Sequence, residues 1–332
     1  MKKLTLVVMV AAMMLVSACG GSDTESLVVY SGRTENLVAP LFEEFTASTG
    51  VSVEVRYGQS ADLALLIQQE GDRSPADLFL SQSPGAIGLL AGDSLLAQIS
   101  DTTLGLVDDD YRNSDGRWVG LSGRVRVLVY NSALVAESSL PTSVFDLVGA
   151  EYEGRLAVAP SNGSFQDFVT GMREIHGDEV TLDWLNGLEQ NRTATYANNS
   201  SIVQAVGRGE VEMGLVNHYY NLRALAEDPG LESRNHYFDD VGSLVIISAV
   251  GVMESSTKRT EAETLIRYLL EPSAQRFFSN ETFEYPLASG SQPNSALAAL
   301  EEIQVATHDF NGLSGGLART TDLIAESGLE AP

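Results

Sequence analysis

The stretch LVVYSGRTENLVAPLFEEFTASTGVSVEVRY, residues 27–57, contains two strand-like runs separated by a helical pattern. Leu27–Tyr30 is apolar and ends in a polar turn, and Val51–Tyr57 alternates apolar and polar residues as a half-buried strand does. Between them the apolar residues recur every three or four positions until Gly50, which is typical of a helix that ends at a glycine. Strand, helix and strand in this order favour α/β layers with parallel strands.

The alternation of strand and helix continues through the rest of the chain. Apolar patterning predicts further strands at 77–80, 156–159 and 213–216, and helices at 62–70, 165–174, 181–188, 201–208 and 260–278. Two longer apolar runs, 125–130 and 244–248, lie where one α/β set meets the next, so we expect two strands that cross between lobes as a hinge.

The expected fold is therefore α/β with two lobes, each a mostly parallel sheet flanked by helices. Lobe one is expected to comprise residues 27–126 and 246–300, and lobe two residues 127–245. Residues 301–332 are expected to form a C-terminal helical segment, which the pattern assigns to neither lobe.

The first residues of the chain are typical of an export signal. A short positive start is followed by an apolar run at 4–16 and by small residues before Cys19. Val16–Cys19 resembles a bacterial lipobox, in which the cysteine becomes the lipidated first residue; ordinary cleavage beside a chance cysteine is the alternative. We expect removal of residues 1–18, a tether at 19–26, and a protein anchored to the outer face of the cytoplasmic membrane or free in the periplasm. Cys19 is the only cysteine, so the mature fold has no disulfide.

The charge balance limits the classes of partner. Lys and Arg total 20 against 45 Asp and Glu, a formal net charge of −25. Nucleic acid and anionic lipid are poor partners for such a chain, so we expect it to meet the membrane only through its anchor. We also expect a monomer. An anion site would have to supply its own local positive potential.

An exported hydrolase is one alternative function. Gly92-Asp93-Ser94-Leu95 matches the opening motif of one serine hydrolase family, but it follows a helical pattern and the chain has no Asp-x-x-His. The histidines show no metal-ligand spacing; His176 and His308 are expected on the surface, and His218 is ambiguous.

Three polar turns follow predicted strands, at 31–34, 161–164 and 217–220. In open α/β sheets the carboxyl ends of strands face the ligand crevice, and helix N-termini there present N–H groups to anions. One such turn is usually only a helix cap, but three in the same architectural position predict a binding site.

Tyr219 and Tyr220 form the most unusual feature of the third turn. Adjacent strand residues point to opposite faces, so both phenols can reach one ligand only if the backbone bends there; one ring in the core and one on the surface is the alternative. A phenol has a reference pKa of about 10, and a bound, highly charged cation favours its deprotonated form. Hard oxygen donors suit Fe³⁺ better than Zn²⁺ or Cu⁺.

Several segments together resemble the ferric-iron-binding lipoproteins and periplasmic proteins that supply bacterial ABC importers. The likeness runs over nearly all of the mature chain and includes VVYSGRTENLVAPLFEEFTASTGVSVEVRYG (28–58), GDRSPADLFLSQSPGAIGLL (71–90), GLSGRVRVLVYN (120–131), APSNGSFQDF (159–168), YANNSSIVQAVGRGEVEMGLVNHYY (196–220) and EYPL (284–287). It implies a two-lobe fold of the periplasmic-binding-protein type and no catalysis.

The resemblance also implies roles for individual residues. Tyr219 and Tyr220 would ligate Fe³⁺, and carbonate or phosphate would complete the iron shell as a synergistic anion. The implied anion-binding residues are Asn217, Asn199, Asn162, Gly163, Ser164 and Arg33. Arg124 is a further candidate anion partner, with a structural salt bridge as the alternative.

The chain departs from the family pattern at several positions. Arg33-Thr34 stands where many members have a His, Gln82 where many have a Glu ligand, and Phe165 where some have a third Tyr. Tyr196 and Tyr30 are spare phenols near predicted pocket segments. The resemblance thus implies a member with few protein ligands, in which anions or water fill the rest of the shell.

The expected function is capture of ferric iron between two lobes and its delivery to an ABC permease and its ATPase. The loss of the Glu and His ligands supports an alternative with the same fold, which would bind an organic solute such as a polyamine, thiamine or an iron chelate. An exported hydrolase that uses Ser94 is the third hypothesis.

Overall fold

The computed structural model describes residues 26–300, 303 and 316–329 of the chain. The predicted signal peptide, the lipidation site at Cys19, most of the tether and His308 therefore lie outside the described residues. None of the described helices is long and apolar enough to cross a membrane.

The described residues form a mixed α/β fold. Its strands are β1 Leu27–Ser31, β2 Val53–Tyr57, β3 Leu78–Ser81, β4 Val119–Asn131, β5 Leu156–Val158, β6 Ala194–Thr195, β7 Met213–Asn217, β8 Ser233–His236, β9 Val245–Val252 and β10 Tyr285–Pro286. Its helices are α1 Glu35–Thr49, α2 Ser60–Glu70, α3 Pro84–Gly92, α4 Asp101–Leu104, α5 Gly163–Gln190, α6 Asn199–Gly207, α7 His218–Glu227, α8 Arg259–Leu269, α9 Pro272–Glu281 and α10 Leu317–Glu326.

The strands lie in the order β2-β1-β3-β9-β4-β7-β5-β6, and β10 and β8 also pair with β4. The outer pairs β1–β2, β1–β3, β5–β6 and β5–β7 are parallel, as the strand and helix alternation predicts. The pairs that involve β4 or β9 are antiparallel. The expectation of mostly parallel sheets is therefore wrong at the centre, because the chain leaves along β4 and returns along β9 in the opposite direction.

Strand β4 belongs to both halves of this sheet. It pairs with β9 from Val119 to Val125 and with β7 from Arg126 to Tyr130, so it changes partner between Val125 and Arg126. We call the part built on β2, β1, β3 and β9 the first half, and the part built on β7, β5 and β6 the second half. Each half has an apolar core of its own, and a third apolar cluster lies between them.

One helix boundary differs from the sequence pattern. The predicted helix 260–278 is two helices, since Pro272 begins α9 and the preceding Glu271 is extended (φ −68°, ψ 153°). The predicted helices 165–174 and 181–188 lie on either side of a break in the backbone of α5 at Gly177 (φ 85°, ψ 166°), so the structure keeps them as two helices.

Helix α10 packs on α5 of the second half. The hydroxyls of Thr320 and Thr170 are 2.7 Å apart, and Arg173 donates to the Gly316 carbonyl at 2.8 Å. Helix α10 lies in the segment 301–332, which the sequence pattern assigned to neither lobe. The structure places this helix against the second half.

Candidate functional site

Tyr219 and Tyr220 lie in the first turn of α7, directly after β7. Asn217 is the last residue of β7 and the N-cap of α7, so the backbone turns from strand to helix immediately before the pair. The two rings stack with centroids 4.2 Å apart and planes 28° apart. Tyr219 is buried, whereas Tyr220 is partly exposed. The backbone therefore bends before the pair, as two phenols that reach one ligand require. Both tyrosines follow the bend, and their rings lie side by side.

The surroundings of Tyr219 keep its phenol protonated in the metal-free protein. Burial raises the pKa of Tyr219 well above its ordinary value, and Tyr220 adds to the rise. The positive charges of Arg33 and Arg124 act in the opposite direction and favour the phenolate. A cation that binds here must displace this proton, but it finds guanidinium groups already placed to stabilise the phenolate.

Three arginines converge behind the tyrosine pair. Arg33, Arg124 and Arg126 are all buried, with at most 1% of each residue's surface exposed. Among the described residues, Arg33 Nε and Nη1, Arg124 Nε and Nη1, and Arg126 Nε find no hydrogen-bond partner. Buried N–H groups are nearly always paired, so unpaired guanidinium groups indicate a ligand that supplies acceptors. This cluster is the local positive potential that an anion site needs in a chain of net charge −25.

Glu284 is the counter-ion of Arg33, and the sequence analysis missed it. Arg33 Nη2 donates to Glu284 Oε1, and both residues are almost completely buried. Glu284 also accepts from the Ser122 hydroxyl, which contacts Ser248 Oγ at 2.7 Å on the neighbouring crossing strand. Burial opposes ionisation of Glu284, but Arg33 and Arg124 outweigh it and lower the pKa of the carboxyl. Its position in the loop after a helix resembles an ordinary surface glutamate, so only the fold reveals the pair.

Arg126 connects the second and third polar turns. Its Nη1 lies 3.4 Å from Asn217 Oδ1 and 3.5 Å from Ser164 Oγ, and its Nη2 donates to the Leu215 carbonyl at 2.8 Å. Burial lowers the pKa of Arg126 to about 9, so it stays charged at neutral pH. The sequence did contain a signal for Arg126, because residues two apart on a strand share a face with one another and Arg124 was already a candidate.

Arg124 and Asp167 lie where the two halves face each other. Arg124 Nη2 donates to the backbone carbonyl of Gln82. Burial raises the pKa of Asp167 to about 6, while Arg124, a hydrogen bond from Ser83 and Arg126 act to lower it. Ser83 belongs to the first half and Asp167 to the second, so their hydrogen bond joins the two halves, whereas Arg124 and Gln82 both belong to the first half. Asp167 is not among the site residues predicted from the sequence.

The second polar turn and Asn199 form one amide and hydroxyl network. Asn162 caps α5 by accepting from the Ser164 N–H at 3.1 Å and from its hydroxyl at 2.7 Å. Asn199 Nδ2 donates to Ser164 Oγ at 2.8 Å and contacts Asn162 Oδ1 at 3.3 Å. Asn199 Oδ1 and Asn217 Nδ2 are buried and unpartnered among the described residues. The Cα of Gly163 faces open space, which leaves the helix start accessible.

The other predicted pocket residues have contacts of their own. The Thr34 hydroxyl is exposed and donates to Asn36 at 2.7 Å, and the Tyr30 hydroxyl donates to Glu70 at 3.1 Å. Tyr196 donates its backbone N–H to Val158 at 2.9 Å and its partly buried ring packs on the central apolar cluster. The structure thus gives the Tyr30 phenol a partner on α2, rather than bringing it to the tyrosine pair.

Neither the hydrolase hypothesis nor a conventional metal cluster gains support from the described residues. Ser94 lies in an exposed turn with φ 58°, and its N–H donates to the Ala91 carbonyl at 3.1 Å. Within the described ranges no three His, Cys, Asp or Glu residues form a group that could hold a metal ion.

His218 is completely buried beside the pair. Its Nδ1 accepts from the Val125 N–H at 3.0 Å, and its Nε2 lies 2.7 Å from the Phe283 carbonyl. Burial lowers the pKa of His218 to about 4, so the ring is neutral at physiological pH.

Comparison with known proteins agrees with this architecture. The family model described as bacterial extracellular solute-binding protein matches residues 73–314. A Serratia marcescens Fe(3+)-binding periplasmic protein is 35% identical over 323 residues, which cover 96% of this chain and 94% of that protein. The major ferric iron-binding protein of Neisseria meningitidis serogroup B is 31% identical over 272 residues, 79% of this chain and 80% of that protein.

Solved structures resemble the fold over nearly its whole length. Iron-bound HitA from Pseudomonas aeruginosa has a TM-score of 0.86 and 32% identity, with 91% of this chain and 99% of that chain covered. The Trichodesmium protein IdiA (FutA) in complex with iron and citrate has a TM-score of 0.80 and 27% identity, with 92% of this chain and 100% of that chain covered. The chain belongs to the bacterial extracellular solute-binding protein family.

Proposed function

We propose that this protein captures ferric iron together with a synergistic anion between two lobes and passes it to a membrane permease. The observation that carries the proposal is the stacked tyrosine pair beside buried guanidinium groups with unpartnered N–H donors. Phenolate oxygens are hard donors that suit Fe³⁺. The relatives named for ferric binding, at 35% and 31% identity, support the same conclusion.

The proposed ligands divide between the protein and the anion. Tyr219 and Tyr220 supply two phenolates, which leave one net positive charge on the trivalent ion. Arg33 is balanced by Glu284, whereas Arg124 and Arg126 share the single carboxylate of Asp167. This formal count leaves two positive charges, which a dianion such as carbonate or hydrogen phosphate would neutralise. Asn217, Asn199 and the turn at 162–164 are the proposed polar contacts of the anion.

Lobe movement would complete the capture. The two halves would act as lobes of residues 27–126 with 246–300 and of residues 127–245, which close by bending where β4 changes partner. Closure would bring Ser83 against the second lobe, as its hydrogen bond with Asp167 suggests. The closed monomer, held by lipid on Cys19 at the outer face of the cytoplasmic membrane, would dock on an ABC permease coupled to its ATPase. No reaction would be catalysed.

Titration of the iron-free protein tests this function directly. We expect ferric ion to produce a phenolate-to-iron absorption band in the visible, with a tight endpoint only when carbonate or phosphate is present. Samples without added anion, with carbonate, with phosphate and with citrate would identify the anion. The absence of a band in every sample would contradict the proposal.

Ferric affinity should fall as the pH falls, because protons compete with iron for the phenols. Burial favours the protonated form of Tyr219, so iron binding must release that proton. Each proton released changes the apparent affinity by about tenfold per pH unit, or about a hundredfold if both phenols ionise. Competition against a chelator of known protonation behaviour would measure this slope. In the Tyr220→Phe variant one proton fewer is released, so the slope of log affinity against pH should fall by about one. An affinity that does not depend on pH would exclude phenolate ligation.

A second candidate ligand is a ferric chelate with carboxylate groups. The unpartnered guanidinium N–H groups favour it, since they could receive carboxylates of the chelator directly. The Trichodesmium relative in complex with iron and citrate offers a precedent. Polyamines and thiamine, the other organic alternatives, are cations, so the positive charge of the buried arginines disfavours them. Melting-temperature shifts with ferric ion and carbonate, ferric citrate, spermidine and thiamine would rank them, because only a bound ligand stabilises the fold by mass action.

A further inference from the structure

We propose that His218 is a positioning residue that couples the tyrosine pair to the loop carrying Glu284, and thereby to Arg33. The inference rests on the proposed ferric function and adds a role for a residue that ligates neither iron nor anion. It depends on three features of His218: its two hydrogen bonds, the backbone conformation of its partner Phe283, and its ring contacts.

The hydrogen bonds fix the tautomer of His218. Nδ1 faces the N–H of Val125 at 3.0 Å, so it must be the unprotonated acceptor. Nε2 faces the carbonyl of Phe283 at 2.7 Å, so it must carry the hydrogen and donate it. The ring is therefore used at both ends, and its two partners lie on different elements, namely the crossing strand β4 and the loop between α9 and β10.

The second hydrogen bond joins the two halves of the molecule. His218 begins α7 of the second half, whereas Phe283 precedes β10, which pairs with the first-half part of β4 at Ser122 and Gly123. Like the hydrogen bond between Ser83 and Asp167 it joins the two halves, and it is the one adjacent in sequence to the tyrosine pair. A change in the position of α7 therefore acts on the Phe283 carbonyl.

The conformation of Phe283 transmits that action to Glu284. Phe283 has φ 55°, in the left-handed region that non-glycine residues rarely adopt. The hydrogen bond from His218 to its carbonyl helps to hold this conformation, which presents the next residue, Glu284, to Arg33. Without that bond the turn at Phe283 could relax and move Glu284. The Arg33 guanidinium, which is held by Glu284, would then change its orientation.

Ring contacts complete the link to the proposed iron ligands. His218 meets Tyr219 edge-on with centroids 6.0 Å apart and Tyr285 at 5.0 Å with planes 44° apart. The imidazole thus fills the space between a ligand phenol of α7 and an aromatic ring of β10. A plain core histidine would contribute this packing and the stability of its two hydrogen bonds, but it would have no specific effect on iron release.

Two substitutions separate the hydrogen bonds. The amide oxygen of His218→Asn can take the place of Nδ1 and accept from Val125, but its side chain is too short to reach Phe283. The amide nitrogen of His218→Gln can take the place of Nε2 and restore the bond to Phe283. We expect His218→Asn to raise the rate of iron dissociation and lower affinity by about 10- to 100-fold, as loss of an outer partner does at metal sites, and His218→Gln to stay near the wild type.

His236 provides the matched control. Its Nε2 lies 2.6 Å from the Pro141 carbonyl, a comparable bond on β8 of the second half. His236→Asn should reduce the melting temperature of the iron-free protein without changing iron affinity. The proposal is overturned if wild type, His218→Asn and His218→Gln bind iron with equal affinity. It is also overturned if both His218 variants lose the same affinity and that loss matches their loss of stability.

A measurement on the wild type avoids dependence on the folding of the variants. Side-chain ¹⁵N NMR should show a neutral ring with hydrogen on Nε2, and this hydrogen should exchange with solvent more slowly in protein loaded with diamagnetic Ga³⁺ in place of Fe³⁺ than in the metal-free protein. Hydrogen on Nδ1, or exchange that metal loading does not slow, overturns the coupling. Failure of the wild type to bind iron in the titration above would instead refute the proposed function itself, and the coupling with it.

Discussion

Replacement of Tyr219 and Tyr220 together by phenylalanine should abolish ferric binding. Both donor oxygens disappear while the rings keep their stacking, so the cost should exceed the roughly 10- to 100-fold that loss of an outer partner causes at metal sites. The visible phenolate-to-iron band should vanish from the titration, and the protein should no longer compete with citrate for the ion.

Tyr196→Phe is the control for this experiment, because it removes a phenol whose ring packs on the central cluster. That variant should bind iron with the wild-type band and affinity. A full band in the double variant would show that iron binds through phenols other than Tyr219 and Tyr220.

Substitution of Glu284 by glutamine should cost about 3–5 kcal/mol of folding stability, the usual effect of removing one member of a buried ion pair. Arg33 would keep its charge in a site where 1% of its side chain is exposed, without the carboxylate that neutralises it. Urea unfolding of the iron-free protein would measure the loss as a lower midpoint. An unchanged midpoint would show that the pair contributes nothing to the stability of the fold.

The pH dependence of this loss has a definite sign. Arg33 and Arg124 lower the pKa of Glu284 in the folded protein despite its burial. The stabilisation is therefore complete above the unfolded pKa and disappears as the pH falls through the folded pKa. The difference between wild type and Glu284→Gln should shrink on acidification, and the apolar double variant Arg33→Met/Glu284→Leu should recover stability while losing the effect of the anion on iron binding.

The sequence predicted the architecture well, because the relevant signals are local. Strand and helix patterns gave the α/β class, and the long apolar runs predicted the long strands β4 and β9, of which β4 belongs to both halves. The direction of pairing at the centre was not accessible, since it depends on the route of the chain between the halves. The break before Pro272 was readable from the residue type but was not used.

The candidate site was only partly accessible for a similar reason. Tyr219, Tyr220 and the polar turn at Asn162 follow strands, so position along the chain indicates them. Glu284 belongs to the site only because α9 and β10 bring it beneath Arg33, which no spacing predicts. The structure also separates Tyr30 from the site by giving its hydroxyl to Glu70.

The change of partner within β4 bears on how this protein could be engineered as an iron sensor. Arg124 lies on the part of the strand paired with β9 and Arg126 on the part paired with β7, with one residue between them. Any bend between these parts therefore alters the relative direction of the two guanidinium groups. Under the proposed closure, ion affinity and the closure angle cannot be tuned separately, so substitutions that stiffen this strand should shift the dynamic range of a reporter without touching a donor atom.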